Sequence, residues 1–348
     1  MIFPGPENIL PSKKKANRPG KIGQGSQKPG MLSLLTEKYP KTINPLLDEL
    51  ESTIPGLQKL VSIGPFGRLG DTPNAQPAIL FTSVCILRVL QKEFGVDVSR
   101  FSYFLGHSLG EFTALVAADI ISLPVALQLV HKRGLAMEAA AKNAGKVGMF
   151  ALEVAEGELN TLVQRIQNFT TKGKNLTEAE SLSVACINSS TQLVVSGHVT
   201  AVEKCMNWLR ERDVKDPRPV QLNVAVPCHS EIMAPAAEVV RKLLDDIEFR
   251  PENINKVLSN VTARPYADEA EMKELLVAHC MEKVRWKDTI EWLERTKGVS
   301  LWLGIGPGRI HTILVGKQLK LGTKSVLPVD GKDRSALPYA ARVLAGVK

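Results

Sequence analysis

The stretch Ser102-Tyr103-Phe104-Leu105-Gly106-His107-Ser108-Leu109-Gly110 decides the fold of this chain. Its first four residues are typical of a short buried strand, and a helical pattern follows at once, from Leu109 to about Ala118. Between strand and helix lies a serine with a glycine two positions away on either side. This G-x-S-x-G pattern, in a strand–turn–helix context, predicts an α/β fold with a functional serine on the turn.

The two glycines have a steric purpose. A nucleophile on a sharp strand-to-helix turn has strained backbone geometry, and side chains at Gly106 and Gly110 would clash there. Ser108 then lies at a helix N-terminus, where free N–H groups can stabilise an oxyanion, with the Leu109 N–H as the first donor. The alternative is a glycine-rich turn whose serine only caps the helix. The context favours a nucleophilic Ser108.

A nucleophilic serine needs a base. The chain offers six histidines, which are His107, His131, His198, His229, His279 and His311. His229 follows the apolar run Val220–Val226, which predicts a strand, so His229 lies at a strand end, where α/β sites collect. From spacing alone, His279 and His311 stay open as alternatives. No aspartate or glutamate stands out as a third triad member.

Arg133 is a candidate for recognising an acidic substrate. It lies on the helix predicted from Pro124 to about Ala141, directly after the helix that carries the turn. The alternative is that Arg133 is exposed, because most arginines lie at the protein surface. If its guanidinium is buried, Arg133 could instead bind a carboxylate through two hydrogen bonds, each contributing roughly 1.5–3 kcal/mol.

The pattern of elements predicts a small unit inserted into a larger α/β body. From residue 147 to residue 226 the predicted order is strand, helix, strand, strand, helix, strand, which fits a ferredoxin-like unit. We assign residues 147–216 to this small subdomain, and residues 24–146 with 217–348 to the large α/β subdomain. Residues 1–23 form a basic N-terminal segment, of which residues 6–23 predict a disordered insertion.

Composition excludes several classes of function. Hydrophobic residues make up 44% of the 348 residues and charged residues 23%, the balance of a globular protein. The aromatic content of 5% argues against the stacking platforms of nucleic-acid binders. The longest apolar region, near residues 114–130, is interrupted by Pro124, so we expect no membrane insertion. The five cysteines are scattered and contain no C-x-x-C pair, which argues against a zinc site or a disulfide framework.

The net charge of +8 is concentrated near the N-terminus, where residues 1–28 hold many lysines and Glu7 as their only acid. The Lys13-Lys14-Lys15 run predicts a solvated segment, and a nucleic-acid or membrane patch is the minority interpretation. The rest of the chain is mildly basic. That balance favours acidic partners.

Taken together, these motifs resemble those of the malonyl-CoA:acyl-carrier-protein transacylases, the stand-alone acyltransferases of type II fatty acid synthesis. Each motif is unspecific alone, but they occur in family order across nearly the whole chain. The matching segments are Gly23-Gln24-Gly25-Ser26-Gln27, Gln76-Pro77-Ala78, Gly106-His107-Ser108-Leu109-Gly110-Glu111, Arg133-Gly134 with Met137, Asn188, Val194-Val195-Ser196-Gly197-His198, Val226-Pro227-Cys228-His229, Val284-Arg285-Trp286 and Gly306-Pro307-Gly308.

The resemblance implies a role for each matching residue. Ser108 would be the nucleophile and His229 its base, and the N–H groups of Gln24 and Leu109 would form the oxyanion hole. Arg133 would bind the free carboxylate of the malonyl group. His107 and Asn188 would be further substrate-binding residues. The implied fold is an α/β-hydrolase-like large subdomain with an inserted ferredoxin-like small one.

The resemblance also implies partners and a mechanism. The substrates would be malonyl-CoA and the phosphopantetheine thiol of acyl carrier protein, with a malonyl-serine intermediate and no metal or redox cofactor. We expect a monomer that binds no nucleic acid. The sequence favours the mitochondrial matrix, with the bacterial cytoplasm as the alternative.

Two departures from the family pattern bear on the site. The family runs Phe-Pro-Gly-Gln-Gly-Ser-Gln without a break, whereas residues 6–23 here separate Phe3-Pro4-Gly5 from Gln24, as a loop insertion or through an error in the gene model. The family also has a glutamine seven residues before the tryptophan of the Val-x-Trp motif, where it helps to orient the catalytic histidine. Here that position is His279, for which the resemblance implies the same orienting hydrogen bond.

Two other functions share part of this pattern. A serine esterase or thioesterase has the same turn but gives no reason for Arg133, and it should have an acidic triad partner. A non-catalytic module that binds a carrier protein or a membrane surface would use the basic N-terminal segment instead of Ser108.

Overall fold

Two β-sheets organise the computed structural model, which describes residues 1–4, 26–171, 175–212, 218–224, 226–319 and 325–346. The strands in chain order are β1 (Ile2–Phe3), β2 (Leu105–Gly106), β3 (Val147–Glu153), β4 (Leu182–Ser189), β5 (Gln192–His198), β6 (Val220–Gln221), β7 (Leu301–Ile305) and β8 (Ser325–Val329). The large sheet has the order β2-β1-β7-β8 and its paired strands are parallel. The small sheet has the order β4-β5-β3-β6 and is antiparallel.

Helices cover most of the remaining described chain. They are α1 (Ser33–Lys38), α2 (Pro40–Thr53), α3 (Leu57–Ile63), α4 (Phe66–Gly70), α5 (Thr72–Phe94), α6 (Gly110–Ala117), α7 (Leu123–Ala144), α8 (Leu159–Phe169), α9 (Val199–Arg210), α10 (Ala234–Asp245), α11 (Glu269–Ala278), α12 (Trp286–Glu291), α13 (Ile310–Gln318) and α14 (Ala336–Ala345). Short 3₁₀ turns occur at Val98–Arg100, Glu231–Met233 and Pro251–Lys256, and α12 continues into a π-helical turn at Trp292–Thr296.

The small sheet confirms the ferredoxin-like prediction. The chain order β3, α8, β4, β5, α9, β6 with the sheet order β4-β5-β3-β6 is the split βαβ arrangement of that fold. Its own apolar core includes Leu152, Ile166 and Leu209. Strand β6 lies beyond residue 216, the predicted end of the small subdomain, so the sheet takes its fourth strand from the segment that returns to the large body.

The large body confirms the α/β prediction. Helix α5 is apolar on most faces and fully buried at Ala78, Phe81 and Val84, as its sequence predicts. It packs on α7 and on the parallel sheet, within one continuous core that extends from β1 to α14. Within the part of the chain that the structure describes, no helix has the length and apolar character needed to cross a membrane.

The strand predicted over Val220–Val226 is wrong beyond Gln221, where β6 ends. Leu222, Val224 and Val226 are buried, but they join the core of the large subdomain as irregular backbone. Their apolar character therefore reflects burial, and the last backbone hydrogen bond to β3 runs from the Leu222 N–H to the Met149 carbonyl at 2.8 Å. Farther along the chain, Val257 and Leu258 form isolated bridges, a parallel one from Val257 to Phe104 and an antiparallel one from Leu258 to Pro265.

The two subdomains are joined by backbone pairing at the outer edge of the small sheet. In β4, the Ile187 N–H donates to the Val284 carbonyl at 2.9 Å, and the Val284 N–H donates to the Ala185 carbonyl at 2.8 Å. Val284 lies two residues before α12 of the large body. These bonds fix the position of β4 relative to the turn at Ser108.

Candidate active site

The turn between β2 and α6 has the tight geometry that its two glycines predict. A Cβ added at Gly106 would lie 1.9 Å from the backbone carbon of Gly110, and a Cβ at Gly110 would lie 2.5 Å from the Phe3 carbonyl oxygen. Neither position can hold a side chain, because real Cβ atoms do not approach backbone so closely. Ser108 between them has φ +51°, in the left-handed region that non-glycine residues rarely adopt.

The structure brings Ser108 and His229 together, although 121 residues separate them in the sequence. The Ser108 Oγ lies 2.8 Å from the His229 Nε2, within hydrogen-bond distance. Both residues are buried, at 1% and 0% exposure. His229 itself has φ +59°, so both partners occupy strained backbone positions.

A backbone carbonyl orients the His229 ring. The His229 Nδ1 lies 3.1 Å from the carbonyl oxygen of Glu282. A carbonyl only accepts hydrogen bonds, so the proton is on Nδ1 and the Nε2 lone pair faces the Ser108 hydroxyl. The serine therefore donates to the histidine, the arrangement that general-base catalysis requires.

His279 lies beside His229 in a different way from the one expected. The two rings meet edge to face, with their centroids 5.0 Å apart, and neither His279 nitrogen has a hydrogen-bond partner within the described ranges. The bond that holds His229 comes from Glu282 instead. His279 does not make the orienting bond because the Glu282 carbonyl already faces the His229 Nδ1, while the His279 ring packs between His229 and Phe112.

Of the predicted oxyanion-hole residues, only Leu109 lies within the described part of the chain. It is the residue before the first turn of α6, and its N–H has no backbone partner among the described residues. The Ser108 N–H is engaged elsewhere, which leaves the Leu109 N–H as the donor at this helix start. Gln24, together with the predicted insertion at residues 6–23, lies outside the described residues.

Arg133 lies on α7 and is buried, at 1% exposure. The neighbouring Gly134 lets α7 approach the start of α5 closely. Its Nη1 donates to the Gln76 side-chain oxygen at 2.7 Å. The Nε and Nη2 atoms have no hydrogen-bond partner within the described ranges, and the positive charge acts on the buried carboxyl of Glu111. The guanidinium also lies over the Phe112 ring, 5.3 Å from its centroid. It is therefore oriented yet still open to a carboxylate.

His107 and Asn188 contact each other across the boundary between the two subdomains. The His107 Nε2 lies 2.9 Å from the Asn188 Oδ1, and the His107 ring packs edge to face on Trp286. Asn188 lies within β4, which continues through Ser189. Of the other histidines, His131 bonds to the Pro73 carbonyl and His198 accepts from the Ser181 N–H.

Sequence reasoning missed three buried residues behind the turn. Asn260 accepts the Ser108 N–H on its Oδ1 at 2.7 Å, and its own N–H donates to the Glu111 Oε2 at 2.9 Å. The Tyr266 hydroxyl donates to the other Glu111 oxygen. Glu111 directly follows the G-x-S-x-G motif, and a glutamate there was the one available signal. Nothing in the sequence links Asn260 or Tyr266 to the turn.

Burial sets the protonation of this network. It raises the pKa of Glu111 to about 7, against the opposing effects of Tyr266, Asn260 and Arg133. Burial also lowers the pKa of His279 well below its ordinary value, and the charges of His229 and Arg133 act in the same direction. His279 is therefore neutral at physiological pH.

Comparison with known proteins places this geometry in a family. The sequence model of the acyl transferase domain matches residues 22–299. The chain belongs to this acyl transferase family. The match includes Ser108, Arg133, His229 and His279, and it also includes the whole antiparallel unit.

Curated relatives of this acyl transferase carry a consistent name. The malonyl CoA-acyl carrier protein transacylase of Bacillus subtilis strain 168 is 35% identical over 296 residues, which is 85% of this chain and 88% of that protein. The enzyme of the same name from Haemophilus influenzae is 33% identical over 83% of this chain and 87% of its own length.

Solved structures agree across nearly the full length. The acyl carrier protein S-malonyltransferase of Vibrio cholerae superposes with a TM-score of 0.80 and 30% identity, covering 97% of this chain and 98% of that one. A type II PKS acyl-carrier protein in complex with its malonyl-transacylase gives a TM-score of 0.79 with 29% identity and 98% coverage of both chains. Relatives and structures together confirm the resemblance and the two-subdomain fold.

Proposed function

We propose that this acyl transferase moves a malonyl group from malonyl-CoA to the phosphopantetheine thiol of acyl carrier protein through a malonyl ester on Ser108. The observation that carries the proposal is the pairing of Ser108 Oγ with His229 Nε2 at 2.8 Å, with a buried, partly unpartnered Arg133 in the same core. The names of the relatives support the same donor and acceptor.

In the first half-reaction, the Ser108 oxygen attacks the thioester carbonyl while His229 takes the hydroxyl proton on Nε2. The carbonyl oxygen becomes an oxyanion, which the Leu109 N–H stabilises. The carbon–sulfur bond then breaks, coenzyme A leaves as its thiol with the proton from His229, and a malonyl-serine ester remains. The Gln24 N–H is the expected second donor to the oxyanion.

The second half-reaction runs the same chemistry with a new nucleophile. His229 takes the proton of the phosphopantetheine thiol, and the sulfur attacks the ester carbonyl. The carbon–oxygen bond to Ser108 breaks, and His229 returns the proton to the serine oxygen. The carrier protein leaves with the malonyl thioester, and the enzyme is restored without a metal or redox cofactor.

Arg133 supplies the preference for a dicarboxylic acyl group. Its free Nε and Nη2 donors form the planar pair that a carboxylate accepts in two parallel hydrogen bonds. Gln76 holds the third nitrogen, so little side-chain freedom is lost when the malonyl group binds. We assign His107 and Asn188 to the substrate-binding wall between the two subdomains.

The esterase alternative is less well supported. In that class an acidic side chain orients the catalytic histidine, whereas His229 here bonds to the Glu282 carbonyl. An esterase also has no use for a buried arginine without an acidic partner. The binding-module alternative requires no paired Ser108 and His229 and gives no reason for their strained backbone.

The test of the proposed function is intact-protein mass spectrometry after incubation with malonyl-CoA, followed by peptide mapping. We expect a malonyl adduct on Ser108, lost in Ser108→Ala and retained in Ser52→Ala, a control at an exposed helix position. An adduct that survives in Ser108→Ala contradicts the nucleophile. Deletion of residues 6–23 then separates the classes: an enzyme keeps or gains turnover, whereas a binding module loses its partner.

Partners and compartment complete the proposal. We propose a monomer that meets acyl carrier protein and malonyl-CoA in the mitochondrial matrix, with the bacterial cytoplasm as the alternative. The polar stretch at residues 172–180 and the interruption of the family motif at residues 6–23 support the matrix, and the bacterial source of the relatives supports the alternative. Light scattering of the purified chain tests the monomer, and imaging of a C-terminal fluorescent fusion in a eukaryotic host tests the matrix.

A further inference from the structure

Asn260 occupies the place where a neighbouring strand would continue beside β2. Upstream, the Phe104 N–H donates to the Lys256 carbonyl at 2.8 Å, and the Leu258 N–H donates to the Phe104 carbonyl at 3.0 Å. This is one step of a parallel ladder, and the next step would use the backbone of Gly106. The backbone of the neighbouring segment turns away before that step.

The Asn260 side chain makes the missing step. Its Nδ2 donates to the Gly106 carbonyl at 2.8 Å, and its Oδ1 accepts the Ser108 N–H at 2.7 Å. An N–H can only donate and a carbonyl can only accept, so both partners fix which end of the amide is oxygen. One side chain thus bridges the two residues that flank His107 on the turn.

Glu111 in turn holds Asn260. The Asn260 N–H donates to the Glu111 Oε2 at 2.9 Å, and the Glu111 N–H donates to the Ser108 carbonyl at 2.9 Å. Ser108, Asn260 and Glu111 therefore form a closed ring of hydrogen bonds, with exposures of 1%, 2% and 0%. Water cannot replace a lost member of this ring without entering the core.

We propose that Asn260 is a positioning residue for the nucleophile, an inference that rests on the proposed role of Ser108. At φ +51° the Ser108 backbone is held in a strained conformation that persists only where its surroundings impose it. Without the bridge, the turn relaxes towards negative φ and carries the Ser108 Oγ away from His229.

The expected consequence falls on turnover and not on substrate binding. A displacement of about 1 Å at a reacting atom can cost about a hundredfold in rate. Asn260→Ala should therefore lower kcat for malonyl transfer by about ten- to hundredfold, with KM for malonyl-CoA within about twofold, because Arg133 is untouched. Asn253→Ala is the matched control, since Asn253 also bonds a backbone carbonyl, at Ala118, but away from the turn.

A second variant gives a readout that a merely structural role would not move. Asn260→Asp keeps an acceptor for the Ser108 N–H but directs its other oxygen at the Gly106 carbonyl, where only a protonated carboxyl can donate. Glu111 faces this position directly, His279 and Tyr266 face Glu111, and Arg133 lies near the same carboxylate. The kcat ratio of Asn260→Asp to the parent enzyme should therefore rise as the pH falls.

The experiment measures coupled malonyl transfer to holo acyl carrier protein and maps the adduct in parallel. A Ser108→Ala protein that keeps its adduct overturns the proposed function, whatever Asn260 does. With that adduct lost, a folded Asn260→Ala enzyme that retains kcat within about twofold overturns the positioning role. If Asn260→Ala does not fold, a pH-independent ratio for Asn260→Asp overturns it, and a ratio that rises on acidification supports it.

Discussion

The Arg133 Nη1 donates to the Gln76 side-chain oxygen at 2.7 Å, and this bond leaves two guanidinium nitrogens without a partner among the described residues. Buried guanidinium donors without an acceptor are costly unless a ligand supplies one. The pair from α5 and α7 therefore has the geometry of a receptor for an anionic acyl group.

Replacement of Arg133 by alanine should lower malonyl transfer by at least about ten- to hundredfold, the value of one charge-assisted hydrogen bond. The same variant should accept acetyl-CoA better than the parent enzyme does, because the empty site no longer holds an unpaired charge. Competition between malonyl-CoA and acetyl-CoA in one transfer assay measures both effects. Arg241→Ala, at a surface ion pair, is the control, and an unchanged acyl preference in Arg133→Ala refutes the carboxylate role.

Gly110→Ala should destabilise the fold and abolish activity, since its Cβ would lie 2.5 Å from the Phe3 carbonyl oxygen. Gly316→Ala is the matched control on α13, where an added Cβ meets nothing within 4 Å. There the exchange should raise stability by about 0.5–1 kcal/mol, because alanine is the better helix former. Thermal unfolding, monitored by circular dichroism, compares the two variants. Equal unfolding midpoints would contradict the close packing of the turn.

His279→Gln should leave catalysis largely intact. The Glu282 carbonyl holds the His229 proton, so the family's glutamine has no orienting bond to restore. We expect kcat/KM within about threefold of the parent enzyme and an unchanged pH profile. A pH profile that shifts in this variant would show that His279 acts on His229 electrostatically through the ring contact.

Stability should depend on pH through Glu111, whose pKa is raised from 4.5 to about 7 by burial. The folded protein keeps this proton at pH values where the unfolded chain has released it, so its contribution to stability falls as the pH rises from 4.5 to about 7. Glu111→Gln cannot ionise. Urea unfolding across this range should show the parent protein losing free energy of unfolding relative to the variant, and parallel curves would contradict the assignment.

Local sequence patterns predicted the turn and both subdomains because their causes are local. Gly106 and Gly110 flank the serine within the motif itself, α5 is a long apolar run, and β3 to β5 are short, largely apolar runs. The strand predicted over Val220–Val226 is too long because an apolar run predicts burial, and buried backbone such as that of Leu222 and Val224 need not stay paired in a sheet.

The same limit explains the parts of the site that sequence missed. The bond from Ser108 to Asn260 joins residues 152 positions apart, and the bond from Tyr266 to Glu111 joins residues 155 apart. An asparagine or tyrosine at such positions has no local signature. His229 was favoured over His279 and His311 by its position after an apolar run, yet only the fold shows which carbonyl fixes its proton.

The first and last strands of the antiparallel unit lie side by side, since Phe150 of β3 pairs with Gln221 of β6. The chain therefore enters and leaves this unit at neighbouring points. The nucleophile lies before this unit and its base after it, so neither is part of the insert. The insert reaches the turn through Asn188, which meets His107. A substitution on the insert can therefore alter the surroundings of the turn, while the nucleophile and its base both stay on the large subdomain.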